Sequence, residues 1–174
     1  MSENAVKLIS LLNENLLEIG DLKNIVEYPY TNNGKLKYRF DIEGGDKVDV
    51  TFTLLTPLEV LRVDTPPIID KSKIEYYFSL GYSIGGISTQ AKKSNIREIL
   101  KIMKTITKII EKFKTHFPKS AIMIFEENKQ EELGLVKGQK SILYKSVISQ
   151  NLPKGYISGP VKFNKIEGII IAPK

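Results

Sequence analysis

Few side chains in this sequence could carry covalent or redox chemistry, since it holds one histidine, no cysteine and no tryptophan. Without cysteine there can be no disulfide, thiolate zinc site, iron–sulfur cluster or cysteine nucleophile. His116 is the sole imidazole on which a Ser-His-Asp relay could be built, and no G-x-S-x-G turn supplies the serine. It also falls at the C-terminal end of a helical pattern, where the dipole favours an imidazolium as a structural charge. Asp41, Glu43, Asp46 and Asp49 surround Gly44-Gly45 and could hold a divalent cation. Their spacing matches no calcium loop, and a solvated hairpin tip accounts for them. The run Gly134-Leu-Val-Lys-Gly138-Gln-Lys140 departs from the phosphate-loop pattern G-x-x-x-x-G-K, both in its glycine spacing and in the Gln139 before Lys140. Gly81, Gly85 and Gly86 likewise fall outside the dinucleotide fingerprint. The expectation is a protein that is not an enzyme, with no catalytic residue, no cofactor and no metal.

Lysine is the chemically active residue in surplus. Projected at about 100° per residue, Lys93, Arg97, Lys101, Lys104, Lys108 and Lys112 fall on one narrow stripe of a helix. The stripe is about 28 Å long at the helical rise, enough to run beside several phosphates or an acidic protein. No aromatic residue interleaves with it, so base stacking is not indicated, and any nucleic acid would be held by its backbone without sequence preference. The net charge of +6 is concentrated near this stripe. Residues 1–60 carry six Lys/Arg against ten Asp/Glu, residues 61–125 twelve against five, and residues 126–174 eight against five. Of the 26 basic residues only three are arginine, the residue that bidentate phosphate recognition favours. Abundant Lys, Ile and Asn are also what an AT-rich genome produces without any ligand.

The element that carries the stripe is expected to be a helix over 92–117. Ile96, Ile99, Leu100, Ile102, Met103, Ile106, Ile109, Ile110, Phe113 and Phe117 share its other arc, the longest apolar stripe in the sequence. A shorter helix is predicted over 1–20, from Ser2 to Gly20, with a core-packing or partner-docking face. A short strand over 24–30 and a turn at Thr31-Asn32-Asn33-Gly34 come next. Leu36, Tyr38, Phe40 and Ile42, then Val48, Val50, Phe52 and Leu54, alternate with polar residues on either side of Gly44-Gly45 and read as a hairpin. Residues 56–72, with Pro57, Pro66 and Pro67, read mostly as connection. Ile74, Tyr76, Phe78 and Leu80 predict a third strand, ending in a loop over 81–86. Ala121 to Phe125 is apolar at both parities and should be a central strand covered on both faces. A helix over 139–151 and a closing hairpin over 161–172 complete the reading.

At 174 residues, with 41% apolar and 26% charged residues, the chain fits one globular domain over 1–174 with the 1–20 helix peripheral. No apolar run is long enough to span a bilayer, and the start lacks the order of a signal peptide. The expected location is therefore the cytoplasm of a host cell or a virion, away from membrane. The expected fold class is α+β: a mainly antiparallel sheet of five to seven strands, with the 92–117 and 139–151 helices on one face.

The order of strand, long helix ending in Phe113, Ile122-Met-Ile-Phe125, Lys140-Ser-Ile-Leu143-Tyr144 and Pro153-Lys-Gly155-Tyr156 resembles a small domain that recurs in tailed-bacteriophage proteins. In that domain a basic residue and Leu-Tyr open the second helix and a Gly-Tyr pair follows it. The resemblance covers about residues 74–172, and the hairpin over 36–54 fits the same arrangement. The phage domain usually has arginine where this chain has Lys140, and the N-terminal helix has no counterpart there. The resemblance implies phage or mobile-element origin, carries over no catalytic residue, and singles out Tyr144 and Tyr156, whose simplest role is packing between helix and sheet. Together these readings point to a non-enzymatic phage-like accessory protein that acts on a protein partner or a second copy of itself. The alternative is a sequence-independent nucleic-acid binder using the stripe from Lys93 to Lys112.

Overall fold

Alternation of apolar and polar residues becomes sheet along most of the chain. In the computed structural model, which describes residues 25–84, 96–125, 147 and 151–174, the fold is α+β. The strands are β1 (Tyr30–Asn33), β2 (Lys37–Asp41), β3 (Lys47–Leu54), β4 (Val63–Asp64), β5 (Tyr76–Ile84), β6 (Ser120–Phe125), β7 (Tyr156–Phe163) and β8 (Ile166–Pro173). They form one sheet in the order β1-β2-β3-β5-β6-β8-β7-β4. Every pair is antiparallel except β5 with β6. A parallel pair needs a long crossover, and α2 (Ile96–His116) lies within the one that joins β5 to β6. A single helical turn, α1 (Pro57–Val60), and a 3-10 turn (Lys71–Lys73) sit in the connection between β3 and β5.

Five to seven strands were expected and eight are found. The unexpected one is the two-residue edge β4, too short to display an alternation, while the short strand expected over 24–30 is irregular from 25 to 29 and starts only at Tyr30, as the edge strand β1. Two boundaries also move. Thr31, Asn32 and Asn33 belong to β1 and not to a turn; the reversal comes later, at Gly34, whose φ of 75° suits glycine. The expected loop from Gly81 is strand as far as Ile84, because Gly81 pairs with Thr51 and Tyr82 turns its ring into the core. The helix expected over 1–20 lies outside the described residues. That expected over 139–151 is described only at Val147 and Asn151, both helical, and Val147 is fully buried in the main core.

The two parities of each strand feed two cores. On one face Tyr38, Phe40, Val48, Val50, Phe52, Phe78, Leu80, Ile122, Ile124, Ile169 and Ile171 meet the apolar arc of α2. The Phe52 and Phe113 rings stack there, 3.9 Å apart between centroids and 6° from parallel. On the other face Ala121, Met123, Val161, Ile170 and Ala172 are covered by the β3–β5 connection through Leu55, Val63, Ile69 and Ile74. Both parities of β6 are thus buried, as its unbroken apolar run requires. Gly168 permits the close passage of β8 against β6, since a side chain there would run into the Ile124 carbonyl and Phe125.

Candidate interaction surfaces

The apolar arc of α2 is consumed by the core: Leu100, Ile102, Met103, Ile106, Ile109, Ile110 and Phe113 are all buried, and Phe117 packs at the margin. The basic stripe has a mixed fate. Lys93 lies outside the described residues, as does the side chain of Arg97. Lys101 is half-buried, with Nζ 4.1 Å from the centre of the Tyr28 ring. Lys104 is only 8% exposed; its ammonium donates to the Ile25 carbonyl and lies 3.8 Å from the Glu27 carboxylate. Lys108 and Lys112 are exposed, Lys108 with Glu111 at 3.5 Å. The agent of this division is a strap of irregular chain over 25–28 laid across the helix.

The strap is built in. Ile25 and Tyr28 are buried in the main core, and the Tyr28 ring stacks on Phe40. The Tyr28 N–H donates to Thr105 Oγ1 at 3.0 Å, and its hydroxyl donates to Glu98 Oε1 at 3.3 Å while accepting from the Glu43 N–H at 3.4 Å. Burial, with the Glu98 and Glu43 carboxylates adding to it, pushes the phenol up to about 12 against the opposing Glu43 N–H. The phenol is therefore a permanent neutral hydrogen-bonding group. Between Arg97 and Lys108, about 16 Å of helix, the lysines are spent on the protein's own chain. No local pattern could reveal this, because the strap and its hydrogen-bond partners Thr105 and Lys104 are more than 70 residues apart in sequence.

The other residues that could do chemistry are placed plainly. Asp49 holds Arg39 in a two-point pair, Nε to Oδ1 at 2.6 Å, and Asp41 accepts from Lys47 at 3.1 Å. Among the described residues no group of His, Asp and Glu is arranged to hold a metal. A recess of about 250 Å³ opens beside Thr31, Asn32, Asn33, Lys37, Arg39 and Asp49. It is smaller than ordinary ligand sites, and two of its charged walls, Arg39 and Asp49, already satisfy each other. His116 is exposed at the end of α2.

A lysine outside the stripe is the most perturbed charge among the described residues. Lys114, one turn after Ile110, falls within the apolar arc and is 3% exposed. Its Nζ donates to the Ser120 carbonyl at 3.2 Å and sits 3.3 Å from the centre of the Tyr156 ring. Burial drives its ammonium down to about 7. The π face, the carbonyl and the C-terminal end of α2 all favour the charged form, and oppose that shift. The helical projection carried the signal, since 114 lies four and eight residues beyond Ile110 and Ile106. Tyr156 is where the resemblance placed emphasis; it is half-buried and donates its hydroxyl to the Pro118 carbonyl at 2.7 Å.

A final surface lies over the second core. Leu58, Leu61 and Ile68 are 72%, 81% and 65% exposed. They are held on ordered chain. Thr56 Oγ1 accepts from the Glu59 N–H at 3.3 Å while the Thr56 N–H donates to Glu59 Oε1 at 3.0 Å, a reciprocal cap on α1. Val63 and Ile69, on the same connection, are pinned into the sheet. No protein-family model, curated protein or solved structure matches this chain.

Proposed function

We propose that this chain is a non-enzymatic accessory protein of phage type, a virion component or a host-directed factor. It works by protein–protein contact through the apolar crest of Leu58, Leu61 and Ile68. The carrying observation is the exposure of three large aliphatic side chains on a segment that is capped and anchored. Isolated exposed leucines need no explanation; large aliphatic side chains held out on one ordered connection support a contact surface where they are contiguous. Leu58 and Leu61 stand three apart, so they share a side of the α1 turn. The nucleic-acid reading draws less support, because Lys101 and Lys104 are engaged by the strap.

The test is co-purification from infected or expressing cells together with light scattering on the pure protein. The intact chain should bring a stoichiometric partner or form a homo-oligomer, and a Leu58→Asp/Leu61→Asp variant should lose it with an unchanged circular dichroism spectrum and melting temperature. A strictly monomeric protein without partner would count against the proposal. Anisotropy against random DNA and RNA separates the alternative: tight binding that weakens steeply with salt would replace this reading.

A further inference from the structure

Four neighbouring strands reach the same end of the sheet, and the residues just beyond them are rich in lysine. Tyr76 pairs with Ser120, Tyr156 pairs with Pro173, and the β6–β8 register brings Ser120 level with Pro173. Lys119 precedes β6, Lys154 lies in the turn into β7, Lys174 follows β8, and Lys71 and Lys73 bound the 3-10 turn that leads to β5. At about 4.8 Å between strands the row is about 15 Å wide. Its segments are stitched together. The Lys119 carbonyl accepts from the Glu75 N–H at 2.7 Å, the Gly155 carbonyl from the Lys174 N–H at 2.8 Å, and the Lys174 main-chain oxygen from Lys73 Nζ at 2.8 Å. All five lysines are exposed, and none pairs with a carboxylate side chain among the described residues. The acids on these same segments are Asp70, which accepts from Ser72 Oγ at 2.6 Å, and the exposed Glu75. The Tyr76 ring stands among these charges, 41% exposed and edge-on to Phe117.

We infer that this end of the sheet is a second contact surface, which takes an acidic segment of a partner protein, its carboxylates on Lys71, Lys73, Lys119, Lys154 and Lys174 and an apolar side chain against Tyr76. Charge complementarity sets the class of partner, and the hydrogen bonds between the lysine-bearing segments gather the cations before it arrives. An exposed aromatic anchor inside a charged rim is the make-up of a protein interface. Three features favour polypeptide over nucleic acid. No arginine lies on these segments to hold a phosphate at two points. Glu75 stands in the row beside Lys119, where a continuous phosphate backbone would be repelled and a protein surface can set a complementary charge. The patch is compact and carries one exposed ring, whereas a single strand wants a longer track with several stacking platforms. This surface is distinct from the contact proposed at Leu58 and Leu61 and does not rest on it.

The experiment is fluorescence anisotropy at about 50 mM salt with two probes, a labelled peptide of glutamate and leucine and a labelled oligothymidylate of equal charge. The intact protein should bind the peptide more tightly than the oligonucleotide. Lys119→Glu/Lys154→Glu, a change of two exposed side chains checked by circular dichroism, should weaken the peptide by about tenfold or more. Lys108→Glu/Lys112→Glu, which alters the net charge equally on α2, should stay within about twofold of the intact protein, as should Leu58→Asp/Leu61→Asp. Tyr76→Ala should weaken the peptide by about fivefold or more, and if that variant fails to fold the two lysine pairs decide the matter. Absence of peptide binding would overturn the inference. Equal losses in the two lysine pairs would do the same, because net charge alone would then explain the binding. So would loss of the peptide in the Leu58/Leu61 variant, or tighter binding of the oligonucleotide.

Discussion

Asn164 and Lys165 show how a single backbone angle can outweigh side-chain preference. They link β7 to β8 and both have positive φ, 47° and 69°. With Phe163 paired to Ile166, they make a two-residue hairpin turn of the mirror-image kind that matches strand twist. Asparagine tolerates that region; lysine does so at a cost. Lys165→Gly should therefore stabilise the protein by about 0.5–1 kcal/mol, net of glycine's extra entropy in the unfolded chain. Urea midpoints with an unchanged slope would check it, and Asn164→Gly should give less. The same reasoning by environment separates the lysines of α2. Lys108 and Lys112 are ordinary solvated charges, Lys104 is a buried hydrogen-bond donor to the strap, and Lys114 is an amine near its titration point.

At the scale of elements, the covers of α2 among the described residues include the sheet on its apolar arc, the 25–28 strap on its polar flank, and the Tyr156 end of β7 at its C-terminal turn. The strap is the least regular of these, yet Tyr28 buries a full ring in it. Tyr28→Ala should cost about 3–5 kcal/mol through the lost packing on Phe40 and Lys101. Tyr28→Phe should cost only about 1 kcal/mol, for the hydroxyl's bonds to Glu98 and Glu43. Equilibrium unfolding of both variants measures the ratio. Near-equal losses would mean that the hydroxyl and not the ring fastens the strap.

For the whole molecule the buried amine at Lys114 sets a pH dependence of stability. Its ordinary value of 10.5 applies to the unfolded chain, and about 7 to the folded one. Between these the unfolded chain binds more protons, so stability rises with pH across that window and the burden is greatest below about pH 7. At 1.36 kcal/mol per unit the full shift is worth about 5 kcal/mol as a ceiling. Lys114→Met should melt above the intact protein at about pH 6 and lose that advantage towards about pH 10, where the neutral amine is no longer penalised and methionine leaves the Ser120 carbonyl without its donor. Calorimetry across the range gives the answer, and a pH-independent difference would contradict it.

What the sequence determined by itself is what short-range periodicity encodes. Leu36 to Leu54 alternate and become β2 and β3, Ile74 to Leu80 lead into β5, the doubly apolar 121–125 becomes the doubly covered β6, and the arc from Leu100 to Phe113 becomes the buried face of α2. Each of these follows from which side of a strand or helix a residue faces, and that is fixed by its neighbours in sequence. Only the tertiary structure decided the rest. β8 lies between β6 and β7, the two-residue β4 finds β7 nearly 100 positions away, and the proline-rich connection that reads as mere linkage covers a second core and raises Leu58 and Leu61 from it. The basic stripe was legible as a list of charges, but its meaning was not. Whether a lysine is a free cation, a donor to a strap or an amine under a tyrosine ring depends on desolvation and on partners brought from far along the chain, and no local pattern holds that information.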